Sequence, residues 1–328
     1  AGAGSAADVA RAHDIPIVLV LDCARAAQTA PALVEGLTRH RAGLRFHGLI
    51  LNKVGSERHA ALLKAAFDRA DLPPVLGVLR RNQGFTLESR HLGLVQAQEL
   101  DDIDKRLDLF AAALRDSVDP ERLMGETEPK RALMPAYPFK ANRLAVAKDA
   151  AFSFIYPHLL DAWQKAGASI TLFSPLADEA PPKADLIYLP GGYPELHAGR
   201  LSTNTNFIQS LRNASQFTDI YGECGGYMTL GTHLIDDRGK AHEMAGLLDL
   251  VTSFKAPKLT LGYRQLEALG GPMAGRWRGH EFHHSHALEE RGTALFQVRD
   301  PDNGALAPMG LIKGRVSGSY AHIIAPHE

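Results

Sequence analysis

In the first 118 residues, short apolar runs of strand length alternate with longer segments whose apolar residues recur at helical intervals. Strands separated by helices of this length are typical of βαβ units, so the pattern predicts a parallel sheet covered by helices. The predicted strands are residues 17–21, 46–51 and 74–79, and the predicted helices are residues 30–40, 57–70 and 101–116.

The alternation stops in residues 119–141 and resumes after them. This stretch contains four prolines, several charges and no periodicity, which predicts a linker. Beyond it we expect a second domain over residues 142–328, so the predicted fold class is two tandem three-layer α/β domains with mainly parallel sheets. The predicted strands here are residues 144–147, 169–173, 185–189 and 219–221, and the predicted helices are residues 155–166, 205–214 and 227–230.

Composition and charge narrow the class of protein. The chain has 328 residues, enough for about two domains. Hydrophobic residues make up 45% and charged residues 22%, which is ordinary for globular proteins and excludes disordered and collagen-like classes. The net charge is −1 and no basic stripe occurs, so we expect no nucleic-acid partner.

The cysteines and the apolar runs indicate the cellular compartment, and the first residues show how the chain begins. Cys23 and Cys224 are the two cysteines and lie far apart in sequence, which indicates a reducing cytoplasm rather than a disulfide framework. No apolar run approaches about 18 residues, so we expect neither a membrane span nor a secretory signal. The chain opens Ala1-Gly2-Ala3-Gly4-Ser5 without methionine, as though it entered the middle of a domain.

The strongest chemical signal is a cysteine at the end of a predicted strand. The segment Gly222-Glu223-Cys224-Gly225-Gly226 leads from that strand into a short helical pattern. Small residues on both sides permit the strained turn of a nucleophile elbow, which exposes its side chain above the sheet. The helix start after Cys224 would favour a thiolate and supply a backbone N–H to an oxyanion. The alternative is a buried structural cysteine.

A cysteine nucleophile also needs a second oxyanion donor and a base. Pro190-Gly191-Gly192 follows the strand over residues 185–189, and alone it is a tight turn. Next to the elbow, the backbone amides of this glycine turn would supply the second hydrogen-bond donor to the oxyanion. His322 is a candidate base among 15 histidines, although chain order cannot select it because triad partners meet in space. Most isolated histidines are polar surface or satisfied core residues.

A zinc site is the competing interpretation of another segment. Gly279-His280-Glu281-Phe282-His283-His284 contains the His-Glu-x-x-His pattern, in which the two histidines must lie one helical turn apart. Gly279 and the lack of a helical apolar stripe favour a strand, which would hold His280 and His284 too far apart to share an ion. We therefore predict no metal site and interpret these histidines as a substrate-facing or structural cluster.

Polar residues also follow the strands of the first domain. Asn52 and Lys53 come after residues 46–51, and Asp22 comes after residues 17–21. At the carboxyl ends of parallel strands such residues can contact a ligand, whereas a solvated turn is the simpler interpretation. A phosphate loop of the form Gly-x₄-Gly-Lys-Ser/Thr does not occur in the sequence.

Taken together, these motifs resemble those of the cobyrinic acid a,c-diamide synthases, including the aerobic-pathway form that acts on hydrogenobyrinic acid. The resemblance covers nearly the whole chain and implies a dethiobiotin-synthetase-like domain over residues 1–118, followed by a class I glutamine amidotransferase domain over residues 142–328. The segments that carry it are residues 22–25, 51–59, 90–94, 189–197, 222–226, 279–283 and 319–322.

The resemblance implies glutamine-dependent amidation of the a and c acetate side chains of the corrin ring, driven by ATP and Mg²⁺. It assigns Cys224 as the nucleophile that attacks the amide of L-glutamine. Gly192 and Gly225 would hold the oxyanion, and His322 would protonate ammonia and activate water. Asn52 resembles the adenine-recognising asparagine of dethiobiotin synthetases, and a homodimer is compatible with the family. No motif distinguishes cobyrinic from hydrogenobyrinic acid.

The sequence departs from the family pattern in two places. Class I amidotransferases have His-x-Glu at the base, whereas this chain has His322-Ile323-Ile324, so Cys224 and His322 are expected to act as a dyad. The family's P-loop and first Mg²⁺-binding acidic residues precede the point matching Gly4-Ser5, so we expect a truncated first domain. Two alternatives stay open: an ATP-independent cysteine amidase or glutaminase, and a non-catalytic corrin-binding fragment.

Overall fold

The computed structural model describes residues 4–90, 93–124 and 141–327. The chain divides into two compact units, with the boundary between residues 132 and 133. Most of the predicted linker, residues 125–140, lies outside the described residues. Its first part, Pro120–Met124, is a short helix rather than an irregular segment.

The first unit is built on a parallel sheet. Its helices and strands are α1 (Ala6–Ala12), β1 (Ile17–Asp22), α2 (Ala30–His40), β2 (Phe46–Val54), α3 (Glu57–Phe67), β3 (Val75–Arg80), β4 (Ser89–Arg90), β5 (Gly93–Leu94), α4 (Ile103–Ser117) and α5 (Pro120–Met124). The sheet order is β1-β2-β3, and both pairs are parallel. Asp22, the last residue of β1, is the register partner of Asn52, which lies within β2 because that strand continues to Val54.

The helix α3 shows how local sequence produces these elements. Ser56 caps its start, because the Ser56 hydroxyl accepts a hydrogen bond from the His59 N–H at 3.1 Å. Ala60, Leu63 and Phe67 recur at helical spacing and are buried in the core of this unit. The helix ends at Phe67 rather than at residue 70, since helix ends are the least specified part of such a pattern.

The second unit is larger and contains the remaining elements. They are β6 (Arg143–Ala147), α6 (Pro157–Lys165), β7 (Ser169–Phe173), β8 (Leu186–Leu189), α7 (Ala198–Thr203), α8 (Thr205–Ala214), β9 (Asp219–Glu223), α9 (Gly225–Leu230), β10 (His233–Ile235), β11 (Ala241–Glu243), β12 (Leu250–Ser253), β13 (Thr260–Ala268), β14 (Gly275–His283), β15 (His286–Glu290), β16 (Thr293–Arg299), β17 (Ala305–Lys313), β18 (Val316–Ser319) and β19 (His322–Pro326).

A ten-stranded sheet organises this unit, in the order β19-β14-β13-β16-β17-β18-β9-β8-β6-β7. Five neighbouring strands at one end of this order, β18, β9, β8, β6 and β7, are parallel. The other five, β17, β16, β13, β14 and β19, extend the sheet through antiparallel pairs. Alternate residues of β6 belong to different hydrophobic clusters. Ala145 and Ala147 pack in one cluster, and Leu144 and Val146 pack in the other. The sheet is therefore buried on both faces, which explains the continuous apolar runs of its central strands.

The predicted α/β fold class is confirmed, and the antiparallel extension is what the sequence pattern did not reveal. After α9 the chain forms strands only, β10 to β19, and four of them make a separate sheet of order β11-β10-β12-β15. Many of these strands alternate buried and exposed residues, and such a pattern is weaker than a continuous apolar run. In the part of the chain that the structure describes, no helix is long and apolar enough to cross a membrane.

Candidate active site

Cys224 occupies the turn between β9 and α9. Its backbone angles are φ 47° and ψ −102°, outside the regions that residues with a side chain normally adopt. Such a conformation costs about 1–3 kcal/mol. Two hydrogen bonds hold it: the Cys224 N–H donates to the Ser319 carbonyl at 2.8 Å, and the Cys224 carbonyl accepts from the Met228 N–H at 3.0 Å. The structure thus contains the strained strand-to-helix turn that the sequence predicts.

Glycines on both sides of Cys224 allow this turn to pack tightly. A Cβ at Gly222 would lie 2.7 Å from the carbonyl carbon of Gly226, and a Cβ at Gly226 would collide with the carbonyl oxygen of Leu189. The Gly226 N–H also donates to the Pro190 carbonyl at 3.1 Å. The elbow is therefore fixed against the end of β8, its neighbour in the sheet.

Gly192 and Gly225 lie against each other beside the elbow. A Cβ built on Gly225 would be 3.2 Å from the backbone nitrogen of Gly192 and 2.8 Å from the Pro194 ring. A Cβ built on Gly192 would lie 2.7 Å from the carbonyl carbon of Ala151. Because a side chain fits neither position, two bare backbone amides come together next to Cys224, as an oxyanion site requires.

His322 begins β19 and lies against the same glycine loop. A Cβ at Gly191 would be 2.5 Å from Cε1 and 3.3 Å from Nε2 of His322. The imidazole is 2% exposed and stacks on His280, with ring centroids 5.1 Å apart and planes 7° apart. His280 and His322 are register partners of β14 and β19, so the antiparallel extension of the sheet positions the candidate base.

Two further groups face the Nδ1 side of His322. The Tyr156 hydroxyl lies 3.3 Å from Nδ1, and the Glu223 Oε2 lies 3.7 Å from it. Tyr156 also approaches the Nε2 of His280 at 3.5 Å. Sequence reasoning assigned no role to Tyr156 or Glu223, although Glu223 stands directly before the cysteine. Its proximity to His322 depends on the pairing of distant strands, which the local pattern does not contain.

Burial keeps the candidate nucleophile and base neutral in this conformation. Burial, with the charge of Glu195 as the next cause, raises the pKa of the Cys224 thiol, and the Gly225 N–H lowers it by less. Burial and the neighbouring His280 and His283 lower the pKa of His322 to about 3. The helix start thus favours the thiolate as expected, through the Gly225 N–H, but desolvation outweighs this effect and the net pKa is raised.

The His-Glu-x-x-His segment has a different structure from that of a zinc site. It lies on strand β14, as predicted, and continues past its end. Glu281 accepts from the Arg264 Nε–H at 2.6 Å and lies 3.2 Å from the Nε2 of His283. His283 stacks on Tyr320 at 4.0 Å. Among residues 4–90, 93–124 and 141–327, no group of three or more His, Cys, Asp or Glu side chains could hold a metal ion.

Asn52 lines a cavity of 580 Å³ in the first unit, at the carboxyl ends of β2 and β3. The Asn52 Oδ1 accepts from the Lys53 N–H at 2.8 Å, and Lys53 has a left-handed φ of 58°. The Lys53 ammonium pairs with Asp22 at 2.7 Å. Phe85 and Phe110 are among the apolar residues of the lining. A cavity of this size that combines aromatic walls with polar and charged residues, here including Lys53 and Arg81, is typical of a small-molecule site.

Among solved structures, the partial matches to this chain include glutamine amidotransferases. One crystal structure of a glutamine amidotransferase covers 55% of this chain and 89% of its own, with 15% identity and a TM-score of 0.38. A glutamine amidotransferase from Thermotoga maritima covers 55% of this chain and 75% of its own, with 16% identity and a TM-score of 0.36.

The similarity to individual proteins extends over both units, and a family model matches the second unit. A family model described as CobB/CobQ-like glutamine amidotransferase domain matches residues 143–328. Proteins named hydrogenobyrinate a,c-diamide synthase from Rhodobacter capsulatus, Brucella anthropi and Rhizobium meliloti are 46%, 46% and 44% identical over 99%, 98% and 98% of this chain. The chain spans 76% of the length of each of them. The similarity is thus not confined to the residues around Cys224.

Proposed function

The chain belongs to the family of hydrogenobyrinate a,c-diamide synthases, with a CobB/CobQ-like glutamine amidotransferase domain in its second unit, and from this premise we propose its reaction. It hydrolyses L-glutamine at Cys224 and uses the ammonia to amidate the a and c acetate side chains of hydrogenobyrinate, driven by ATP. The names of the relatives favour hydrogenobyrinate over cobyrinate. The observation that carries the glutaminase step is the strained Cys224 beside the paired amides of Gly192 and Gly225.

In the first half of the glutaminase reaction, His322 takes the thiol proton of Cys224, and the sulfur attacks the side-chain amide carbon of glutamine. The carbonyl oxygen becomes an oxyanion, which the N–H groups of Gly192 and Gly225 stabilise. His322 then returns the proton to the amide nitrogen, the C–N bond breaks, and ammonia leaves a thioester on Cys224.

In the second half, His322 removes a proton from water, and the hydroxide attacks the thioester carbonyl. The same two amides hold the second oxyanion. The C–S bond then breaks, the sulfur regains its proton from His322, and glutamate leaves. Because burial lowers the pKa of His322 to about 3, its imidazole is neutral at ordinary pH, and the imidazolium that forms at each proton transfer has to be stabilised within the site.

We propose that the first unit is the dethiobiotin-synthetase-like half that consumes the ammonia. Its 580 Å³ cavity accommodates the adenosine part of ATP, with the Asn52 amide NH₂ as donor to the base and Phe85 and Phe110 as apolar walls. Bound ATP supplies the activation that makes a corrin carboxylate electrophilic. The described residues contain no cluster for a metal ion, so no protein ligands for Mg²⁺ are assigned.

Alkylation by 6-diazo-5-oxo-L-norleucine, an electrophilic glutamine analogue, tests the glutaminase assignment directly. We expect one covalent adduct, located by peptide mass spectrometry at Cys224, because that thiol occupies the strained turn next to Gly225 and the Gly192 loop. Glutamine in excess should slow the labelling. Cys23 is the internal control, since it is also buried and its thiol pKa is also raised by burial. An adduct at Cys23, or none at all, would contradict the proposal.

Replacing Asn52 by alanine tests the nucleotide cavity. We expect the dissociation constant of ATP, measured by isothermal titration calorimetry on the wild-type chain and the variant, to rise by about fivefold, since one hydrogen bond contributes about 1 kcal/mol. Asn213→Ala, an exposed asparagine on α8, is the matched control and should bind ATP like wild type. Equal affinities for wild type and Asn52→Ala would remove Asn52 from the site.

A further inference from the structure

The carboxyl group of Glu223 is buried and held in place from two sides. Glu223 is 1% exposed and ends β9, directly before the nucleophile. Its Oε2 accepts from the Tyr188 hydroxyl at 2.8 Å, and its Oε1 accepts from the Ile323 N–H at 3.0 Å. Burying a carboxyl group among apolar strands is unfavourable unless it has such partners. Its position is therefore well defined and tied to the strand that carries His322.

The oxygen of this carboxyl group that accepts from Tyr188 also faces the candidate base. Glu223 Oε2 lies 3.7 Å from Nδ1 of His322, while Nε2 of the same ring lies on the side of the Gly191 loop. A histidine that acts as a base through Nε2 needs its proton on Nδ1, and an acceptor beside Nδ1 selects that tautomer. At 3.7 Å the two atoms form an ion-pair contact rather than a hydrogen bond in this conformation, and the Tyr156 hydroxyl lies nearer to the same Nδ1, at 3.3 Å.

We propose that Glu223 is the positioning residue of His322, so that the site works as Cys224-His322-Glu223 rather than as a dyad. This inference rests on the proposed glutaminase function. The carboxylate comes from the position before the nucleophile, whereas the position two residues after the histidine is Ile324. Glu223 touches no reacting atom; it orients the imidazole and supplies a counter-charge when the ring is protonated.

The need for a counter-charge follows from burial. When the Cys224 proton moves to Nε2, a buried imidazolium forms. Burial opposes this charge, because it lowers the pKa of His322 to about 3. An ionised Glu223 at 3.7 Å stabilises that cation. Burial raises the pKa of Glu223 to about 8, so its proton has to leave to solvent before the pair can form.

This requirement predicts the pH dependence. Below the pKa of Glu223 the carboxyl group is protonated and cannot balance an imidazolium, whereas above it the group is ionised. The rate of glutamine hydrolysis should therefore rise with pH, reach half its maximum at about pH 8 and then level off. The apparent pKa of this rise belongs to Glu223 and His322 together, because the two groups are coupled. The other titratable groups that face Glu223 or His322 are Tyr156, Tyr188, Tyr221, Cys224, His280 and His283.

The decisive variant is Glu223→Gln, which keeps the shape and removes the charge. We expect kcat for glutamine hydrolysis to fall by about 10²-fold or more, with KM changed little, and the rise near pH 8 to disappear. Glu223→Asp keeps a carboxylate and should restore part of kcat together with the pH-dependent rise. The matched control is Glu290→Gln on β15, which removes another carboxylate that accepts a tyrosine hydroxyl, here from Tyr227 at 2.6 Å. It should keep the wild-type pH profile.

A second measurement does not depend on turnover. Above about pH 8, where Glu223 is ionised, the ¹⁵N shifts of the His322 ring, assigned by their loss in His322→Gln, should show the Nδ1–H tautomer in wild type and a mixture of tautomers in Glu223→Gln. If wild type hydrolyses no glutamine, the glutaminase proposal fails while the tautomer measurement still tests Glu223. The inference is overturned if Glu223→Gln retains the pH profile and kcat within about threefold of wild type, or if the variant leaves the His322 tautomer unchanged.

Discussion

Replacing Cys224 by alanine should lower the rate of glutamine hydrolysis by at least about 10³-fold, because the variant has no sulfur to form the thioester and the oxyanion amides alone give only weak catalysis. The substitution removes the sulfur without adding volume, so the elbow should keep its backbone conformation. The measurement is glutamate release from L-glutamine, followed with purified wild type and variant at the same concentration.

Free ammonia distinguishes loss of the nucleophile from loss of the whole enzyme. With ATP and hydrogenobyrinate present, we expect Cys224→Ala to retain any amidation that ammonium salts support in wild type, while losing the part that glutamine supports. Cys23→Ala is the matched control, because it removes the other buried cysteine, and it should keep both activities. Glutamine hydrolysis by Cys224→Ala within tenfold of wild type would show that another group is the nucleophile.

Replacing His322 by glutamine should slow glutamine hydrolysis by about 10²–10⁴-fold at neutral pH, since the buried thiol then has no base. The pH dependence should also change. Burial raises the pKa of Cys224, so in this variant the reactive thiolate forms only as the pH approaches that raised value. The rate of the variant should rise by about tenfold per pH unit up to the highest pH at which the protein stays folded.

Wild type and the variant should therefore differ most near neutral pH and converge as the solution becomes more alkaline. The control is His158→Gln, a histidine on α6 whose ring contacts the backbone carbonyl of Ile324 rather than the glycine loop. We expect its initial rates to follow the pH profile of wild type. Circular dichroism should show that the variant is folded like wild type. A His322→Gln variant with a wild-type profile would mean that the thiol proton goes elsewhere.

The resting state of this site differs from that of a cysteine enzyme with a preformed ion pair. Both Cys224 and His322 are neutral here, because each is buried and desolvation opposes either charge. A neutral thiol is a poor nucleophile, and its activation requires a proton transfer that the site must stabilise. The carboxyl group of Glu223 lies where such stabilisation is needed, which links the two predictions above to the proposed role of that residue.

Local sequence was sufficient for the parallel core and for the elbow. The apolar runs that form β6 and β8 are continuous because both faces of these strands are buried, and that signal is strong over a few residues. The elbow could be recognised because its steric requirement, glycine on both sides of Cys224, is written in adjacent residues. The candidate nucleophile and the glycine loops are therefore predictable from neighbouring residues alone.

Tertiary structure alone decided what surrounds the nucleophile. His280 stacks on His322 because β14 pairs with β19, and Tyr156 reaches the same imidazole from the segment before α6. Glu223 meets His322 because β9 pairs with β18 and the chain turns back into β19. The pKa of the Cys224 thiol is raised overall because burial, a property of the folded chain, outweighs the lowering by the Gly225 N–H. Adjacent residues specify backbone conformation, whereas desolvation and contacts between distant strands arise only when the sheet assembles.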